Sequence, residues 1–333
     1  SLYDGLAGDI TALRMLAPGR EGSAVRRLAQ LQGPAGWATT LPIGHDGPVT
    51  DLILGTAGVV LALVWAGGPA AEGIVSAAGE SLLAVAEPTA AGLDWRMFPG
   101  YGSSSPNYSP GTAGVAAALA VAGHALGRAD FVTAARRGAA HVLSVGSLAG
   151  GGFVVPHTIP PSQRDVEPVT YGWCHGPTGT SHLFAALAHI GVADVGGHSP
   201  AELRRRCLHS VRHSGVPQRL RPGFWDNDGR CCGTAGVGDA QLDAYQDLGD
   251  AELRTAAVTM GDALVRRAVV DEAGARWRFV EHRRDPPLLP PGTSWMQGAA
   301  GIAAFLFRLA RVLETGRAVP AAVRAVPGLP GVG

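Results

Sequence analysis

The chain has 333 residues, 46% hydrophobic and only 16% charged, which excludes intrinsic disorder and leaves ample length for a large core. Its formal net charge is zero and its basic residues are all arginine, so nothing in the composition favours nucleic acid or an anionic membrane surface. No apolar run approaches the roughly 20 residues that span a bilayer, no signal peptide is visible, and four cysteines in a chain this long do not make a secreted disulfide framework. A cytoplasmic protein is the expectation, and the bias to arginine, alanine, glycine and proline is that of a GC-rich bacterial genome.

In chain order, a Gly-x-x-Gly signature opens six stretches: Gly5/Gly8, Gly55/Gly58, Gly111/Gly114, Gly176/Gly179, Gly233/Gly236 and Gly298/Gly301. Spacing of this kind marks a repeat architecture. After the signature comes an apolar, alanine-rich helix, predicted over Val59–Trp65, Val115–Leu126, Ser181–Ile190, Val237–Leu248 and Ile302–Leu313. A second, more amphipathic helix follows over Ala71–Val85, Ala129–Leu143, Ala201–His213 and Ala251–Val269. The apolar set suits an inner layer and the amphipathic set a solvent-facing outer one. Long Pro/Gly-rich loops, Glu87–Pro110, Ser144–Trp173, Ser214–Arg230 and Asp271–Trp295, lead into the next signature, with short strands expected at Gly152–Val155 and Arg276–Val280. The fold expected is an all-α, α/α toroid of about six helix-pair repeats with long loops on one rim, forming a single domain over 1–333. An open solenoid is the alternative.

Cysteines precede only the fourth and fifth copies, as Cys174-His175 and Cys231-Cys232. Equivalent positions of adjacent repeats are neighbours in a ring, so the gap between Cys174 and Cys231 need not separate them in space. Three thiolates at one point suit Zn2+, and three protein ligands with a fourth position open describe a catalytic zinc. A closed structural site with His175 as fourth ligand, and a vicinal Cys231-Cys232 redox pair, are competing arrangements. Cys207, inside an outer helix, reads as a small semi-buried thiol. Three anionic sulfurs would leave a bound substrate thiolate nucleophilic, which favours thiol activation over carbonyl polarisation.

Tyr171-Gly-Trp-Cys-His-Gly-Pro-Thr-Gly179, Arg230-Cys-Cys-Gly-Thr-Ala-Gly236 and Ser294-Trp-Met-Gln-Gly-Ala-Ala-Gly301 resemble the motifs of lanthionine synthetase C-like cyclases. The resemblance covers essentially the whole chain. It implies zinc ligands at Cys174, Cys231 and Cys232, the last where the family usually has histidine. It also implies Michael addition of a peptide cysteine to dehydroalanine or dehydrobutyrine, giving the thioether rings of lanthipeptides, which places the protein in antibiotic biosynthesis. The implied partners are a dehydrated precursor peptide and the dehydratase or kinase/lyase components of a biosynthetic complex.

Asp51 matches an aspartate that the family places near its active site; helix N-capping is its other reading. Pro110 stands where the family has a histidine acid/base, and Thr170 where an arginine is common. The enolate formed by the addition needs a proton. His175 and Tyr108 are the candidate donors on the same rim, with solvent water as the third; His45, His157 and His282 read as exposed loop residues. Two alternatives to a cyclase remain at this point: a scaffold or peptide-binding protein with structural zinc, and an enzyme adding glutathione-type thiols.

Overall fold

The computed structural model describes residues 1–317 except 4, 42, 164–166, 219–226, 281–285 and 287. Its described helices alternate between two layers. The inner layer holds α1 (Leu6–Leu16), α3 (Thr56–Ala66), α5 (Thr112–Leu126), α7 (Pro177–His189), α9 (Thr234–Leu248) and α11 (Ala299–Thr315). The outer layer holds α2 (Gly22–Gln30), α4 (Pro69–Ala84), α6 (Ala129–Val145), α8 (Pro200–Arg212) and α10 (Ala251–Arg267). Each of α1, α3, α5, α7 and α9 packs on the outer helix that follows it, and consecutive inner helices pack side by side from α1 to α11. This is the α/α toroid expected from the repeats. One outer helix went unread in the sequence: α2 is only two and a half turns long, and buries just Ala24, Val25 and Leu28.

The glycine signature has a physical cause in how each loop enters its helix. The first glycine is the N-cap of every inner helix, and none of these caps uses a side chain. The first-turn amides, which have no partner within the helix, donate instead to the preceding loop. Thr56, Ala57 and Gly58 bond the carbonyls of Val49, Thr50 and Asp51 at 2.8, 3.0 and 3.3 Å. Thr234, Ala235 and Gly236 repeat the pattern on Asn227, Asp228 and Gly229. The loop must therefore lie directly against the helix start. A β-carbon on the second glycine of any copy would overlap the carbonyl six residues upstream, as at Gly179 against Trp173. The same glycine also receives a side chain from the previous repeat: Leu2 lies over Gly58, Leu52 over Gly114, Tyr108 over Gly179 and Arg230 over Gly301.

Inner helices α3 and α5 are buried on nearly every side, which their alanine-rich composition permits. Between neighbouring helices small residues accept large ones, Gly79 receiving the Phe131 ring and Gly238 the Phe305 ring. Antiparallel hairpins punctuate the connections: β1 (Ala38–Leu41) with β2 (His45–Pro48), β3 (Glu87–Pro88) with β4 (Leu93–Asp94), and β5 (Ser147–Ala149) with β6 (Gly152–Val154). After α10 come β7 (Val269–Asp271) with β8 (Gly274–Arg276), then β9 (Phe279–Val280) with β10 (Leu288–Leu289). The expected strand Arg276–Val280 is thus divided between two hairpins. The indoles of Trp95 and Trp277 each donate to an outer-helix carbonyl, those of Leu82 and Leu264, at 2.8 and 2.9 Å. Among the described residues no helix is long and apolar enough to cross a membrane.

Candidate metal centre

The residue two places before the first glycine of each copy lies at the rim, and these residues form a belt of main-chain hydrogen bonds. The Ser109 amide donates to the Cys174 carbonyl at 2.8 Å, Cys174 to Cys231 at 3.2 Å, and Cys231 to Met296 at 2.9 Å. The third, fourth, fifth and sixth copies are therefore joined edge to edge, and the belt carries Cys174 to Cys231 across a gap of one whole repeat.

The three thiols converge as a result. Cys174 Sγ lies 3.2 Å from Cys232 Sγ, which lies 3.4 Å from Cys231 Sγ, and all three sulfurs fall within 4.8 Å of one another. None forms a disulfide and all are buried. Tetrahedral zinc with bonds of about 2.3 Å places its sulfurs about 3.8 Å apart, so this donor set has the size and softness for that ion. The thiols also share charge unevenly. Hydrogen bonds from Cys174 and Cys232 hold the Cys231 thiol well below its ordinary range. Burial raises Cys174, and the neighbouring sulfurs raise Cys232. Three thiolates this close and this buried repel one another and need a cation.

His175 is not part of that group of sulfurs. Its Nδ1 approaches Cys174 Sγ at 3.4 Å, but among the described residues the mutually close donors are the three cysteines alone. Its ring lies flat on that of His157, with centroids 4.1 Å apart and planes 8° from parallel. Burial lowers both imidazole pKa values. His157 is thus half-buried against His175 and not a plain exposed loop residue. His45, also half-buried, stacks on Phe98 at 3.7 Å. His282 lies outside the described residues.

The other anticipated residues occupy distinct places. Tyr108 is fully enclosed, its ring edge-on to Trp173 at 5.4 Å and tilted against His182, and burial raises its hydroxyl pKa. Asp51 does not cap α3; its carboxylate accepts the Ile53 and Leu54 amides at 3.3 and 3.1 Å, stabilising the turn ahead of the helix. Burial outweighs those bonds and raises its pKa to about 6. Thr170 donates to the His175 carbonyl at 3.0 Å. Cys207 is completely buried in α8.

Sequence reading passed over two groups. Asn107, fully buried, accepts the Gly176 amide at 2.7 Å and donates to the Pro156 and His157 carbonyls at 2.8 and 3.0 Å. Arg230, one residue before Cys231, lies over the Trp295 ring at 4.7 Å and pairs with Asp239 at 2.5 Å. Asp239 in turn pairs with Arg308 at 2.9 Å. Asn107 stands four residues before its first glycine, as Asp51 does, and Arg230 three before its own, as Leu52 and Tyr108 do, but only contacts between repeats reveal their partners.

A family model for lanthionine synthetase C-like proteins matches residues 39–316. Among solved structures, one described as nisin cyclase is similar in fold, with a TM-score of 0.65 at 15% identity, over 99% of this chain and 79% of that one. No curated protein sequence matches this chain.

Proposed function

The chain belongs to the lanthionine synthetase C-like family, and on that basis we propose that it is a zinc-dependent lanthionine cyclase. Its substrate is a dehydrated precursor peptide, and its reaction adds a cysteine thiol of that peptide to a dehydroalanine or dehydrobutyrine of the same chain. The observation that carries this reading is the convergence of Cys174, Cys231 and Cys232, three buried thiols brought from two repeats to one point. Zinc held by these residues would supply the positive charge that converts an incoming thiol to a thiolate, while three anionic sulfurs keep that thiolate nucleophilic.

The chain's own residues have three tasks. Main-chain bonds of the belt hold Cys174 and Cys231 in register through backbone alone. Tyr3 and Tyr108, each edge-on to Trp173, brace the residue preceding Cys174. A proton must then reach the α-carbon left electron-rich by sulfur attack. His175 stands beside the thiols for that role, with Tyr108 and Asp51 completing the proposed set.

Incubating the zinc-loaded protein with a dehydrated, cysteine-containing peptide tests the reading. Loss of free thiol without change in peptide mass is the expected result, and it should vanish in C174A. Ring closure at an unchanged rate in C174A would sink the proposal. Free glutathione added as a competing thiol should not appear in the product.

A further inference from the structure

We propose that the cavity between α1 and Trp295 is a recognition pocket for a large apolar side chain of the precursor peptide, beside the cysteine that reacts; the inference rests on the cyclase reading above. Leu2, Tyr3, Ala12, Met15 and Trp295 line the cavity, and Asp9 is the one charged side chain among its described lining residues. Its volume of about 340 Å³ suits one or two side chains of a peptide.

The cavity lies at an open joint of the ring. Successive inner helices pack together from α1 to α11, but among the described residues α11 does not pack in this way on α1. At four other joints, the residue three places before a first glycine fills a socket over the second glycine of a neighbouring copy. Leu2 does so over Gly58, Leu52 over Gly114, Tyr108 over Gly179 and Arg230 over Gly301. Trp295 holds the same place in the sixth copy and Gly8 in the first, and both line the cavity. A β-carbon on Gly8 would meet only the Leu2 main chain, with no described side chain within 4 Å. The first copy thus has the socket without a large side chain in it. Leucine and tyrosine fill three of the four others, which sets the chemistry of the occupant as apolar and large.

Two routes connect this pocket to the thiols. The Tyr3 ring stands edge-on to Trp173 at 5.6 Å, and Trp173 precedes Cys174. Trp295 precedes Met296, whose carbonyl accepts the Cys231 amide at 2.9 Å. Leu2 belongs to the apolar cluster that contains all three cysteines, and Tyr3 and Met296 pack against it. Arg230, over the Trp295 ring and paired with Asp239, holds that wall in place. From Gly5 to Met15 the lining follows α1 for about 15 Å, the span of about four residues of extended peptide. A peptide with its cysteine at the thiols therefore reaches the pocket with a neighbouring residue. Asp9, exposed and without an ion pair among the described residues, adds a preference for lysine or arginine next to that residue.

The test reads binding and ring closure separately on the zinc-loaded chain. The binding probes are two dehydrated peptides whose cysteine is changed to serine, with either leucine or serine flanking that position. The parent should bind the leucine peptide about 10-fold more tightly. A12W and A12L fill the cavity from an exposed position of α1, so circular dichroism and zinc content should stay those of the parent. A12W should bring the two affinities within about twofold, and A12L should narrow the gap. D9N should keep the leucine preference and weaken a peptide with lysine beside the leucine about threefold. Equal parental affinity for the two peptides overturns the inference, as does a leucine preference that survives undiminished in both filling variants. If the preference is present and A12W removes it, yet the cysteine-containing peptide closes no ring, the pocket stands and the cyclase reading alone fails.

Discussion

The Cys174 amide donates to the Cys231 carbonyl at 3.2 Å, joining two residues one full repeat apart. This bond is one link of the rim belt, which is made of main-chain groups and does not use the cysteine side chains. Removing a ligand should therefore cost metal and spare the fold. C174A and C231A should each lose stoichiometric zinc, measured by metal analysis, while far-ultraviolet circular dichroism stays that of the parent. C232H should keep one zinc per chain, because imidazole nitrogen replaces thiolate as a ligand in many zinc sites. With cobalt in place of zinc, thiolate charge-transfer absorption should drop by about a third in C232H, as one of three sulfurs is lost.

The signature glycine Gly179 and the exposed outer-helix glycine Gly73 should respond to alanine in opposite directions. At Gly179 a β-carbon would overlap the Trp173 carbonyl and come within 2.6 Å of the Tyr108 β-carbon. We expect G179A to lose about 3 kcal/mol in urea unfolding, since backbone on one side leaves no room to relax. Gly73 is exposed within α4 and a β-carbon there meets nothing within 4 Å, so G73A should gain about 0.5–1 kcal/mol.

Asp51 makes stability depend on pH. Its folded-state pKa is raised from 3.8 to about 6 by burial, so the folded protein holds the proton more tightly than the unfolded chain does. Stability from this group is greatest below pH 4 and is lost as pH rises through about 6. A shift of this size corresponds to about 3 kcal/mol. D51N carries no such titration. The stability of D51N relative to the parent should therefore climb by about 3 kcal/mol between pH 4 and pH 7, and a difference that stays flat would refute the burial argument. Zinc loss at low pH affects both proteins and cancels in the comparison.

Arg308 closes a buried charge cluster behind the rim. Its guanidinium pairs with Asp239 and Asp243, each at 2.9 Å, and all three side chains are almost wholly enclosed. Arg230 shares Asp239, so the cluster reaches the residue next to Cys231. R308M should destabilise the protein by about 3–5 kcal/mol in denaturant unfolding, because buried Asp243 loses the Arg308 charge and Asp239 keeps only Arg230, without either regaining water. An R308M/D239N/D243N triple variant should recover part of that loss.

Much of the fold was legible because the repeat writes itself in backbone terms. The paired glycines recur wherever a loop must lie against a helix start, and the alanine-rich stretches after them recur wherever a helix is buried on several sides. The short α2 escaped although Ala24, Val25 and Leu28 share one helical face, because nine residues carry that pattern for only two and a half turns. The two loop strands expected were located to within a few residues while β1 to β4 went unread, and the split between β8 and β9 lies in pairing partners that local sequence does not name.

What the sequence determined by itself was the repeat, its two helix types, and three cysteines in the two positions before the first glycine of adjacent copies. Those properties are local or periodic, and each has a cause within a few residues along the chain. The tertiary structure alone decided which side chains gather around the cysteines. His157 meets His175, Asn107 ties their loops together, and Arg230 reaches Asp239 through packing between segments whose sequence spacing carries no period. Long loops are free to cross the rim in many ways, and the crossing taken here is selected by buried hydrogen bonds and ion pairs that exist only once the ring of helices has formed.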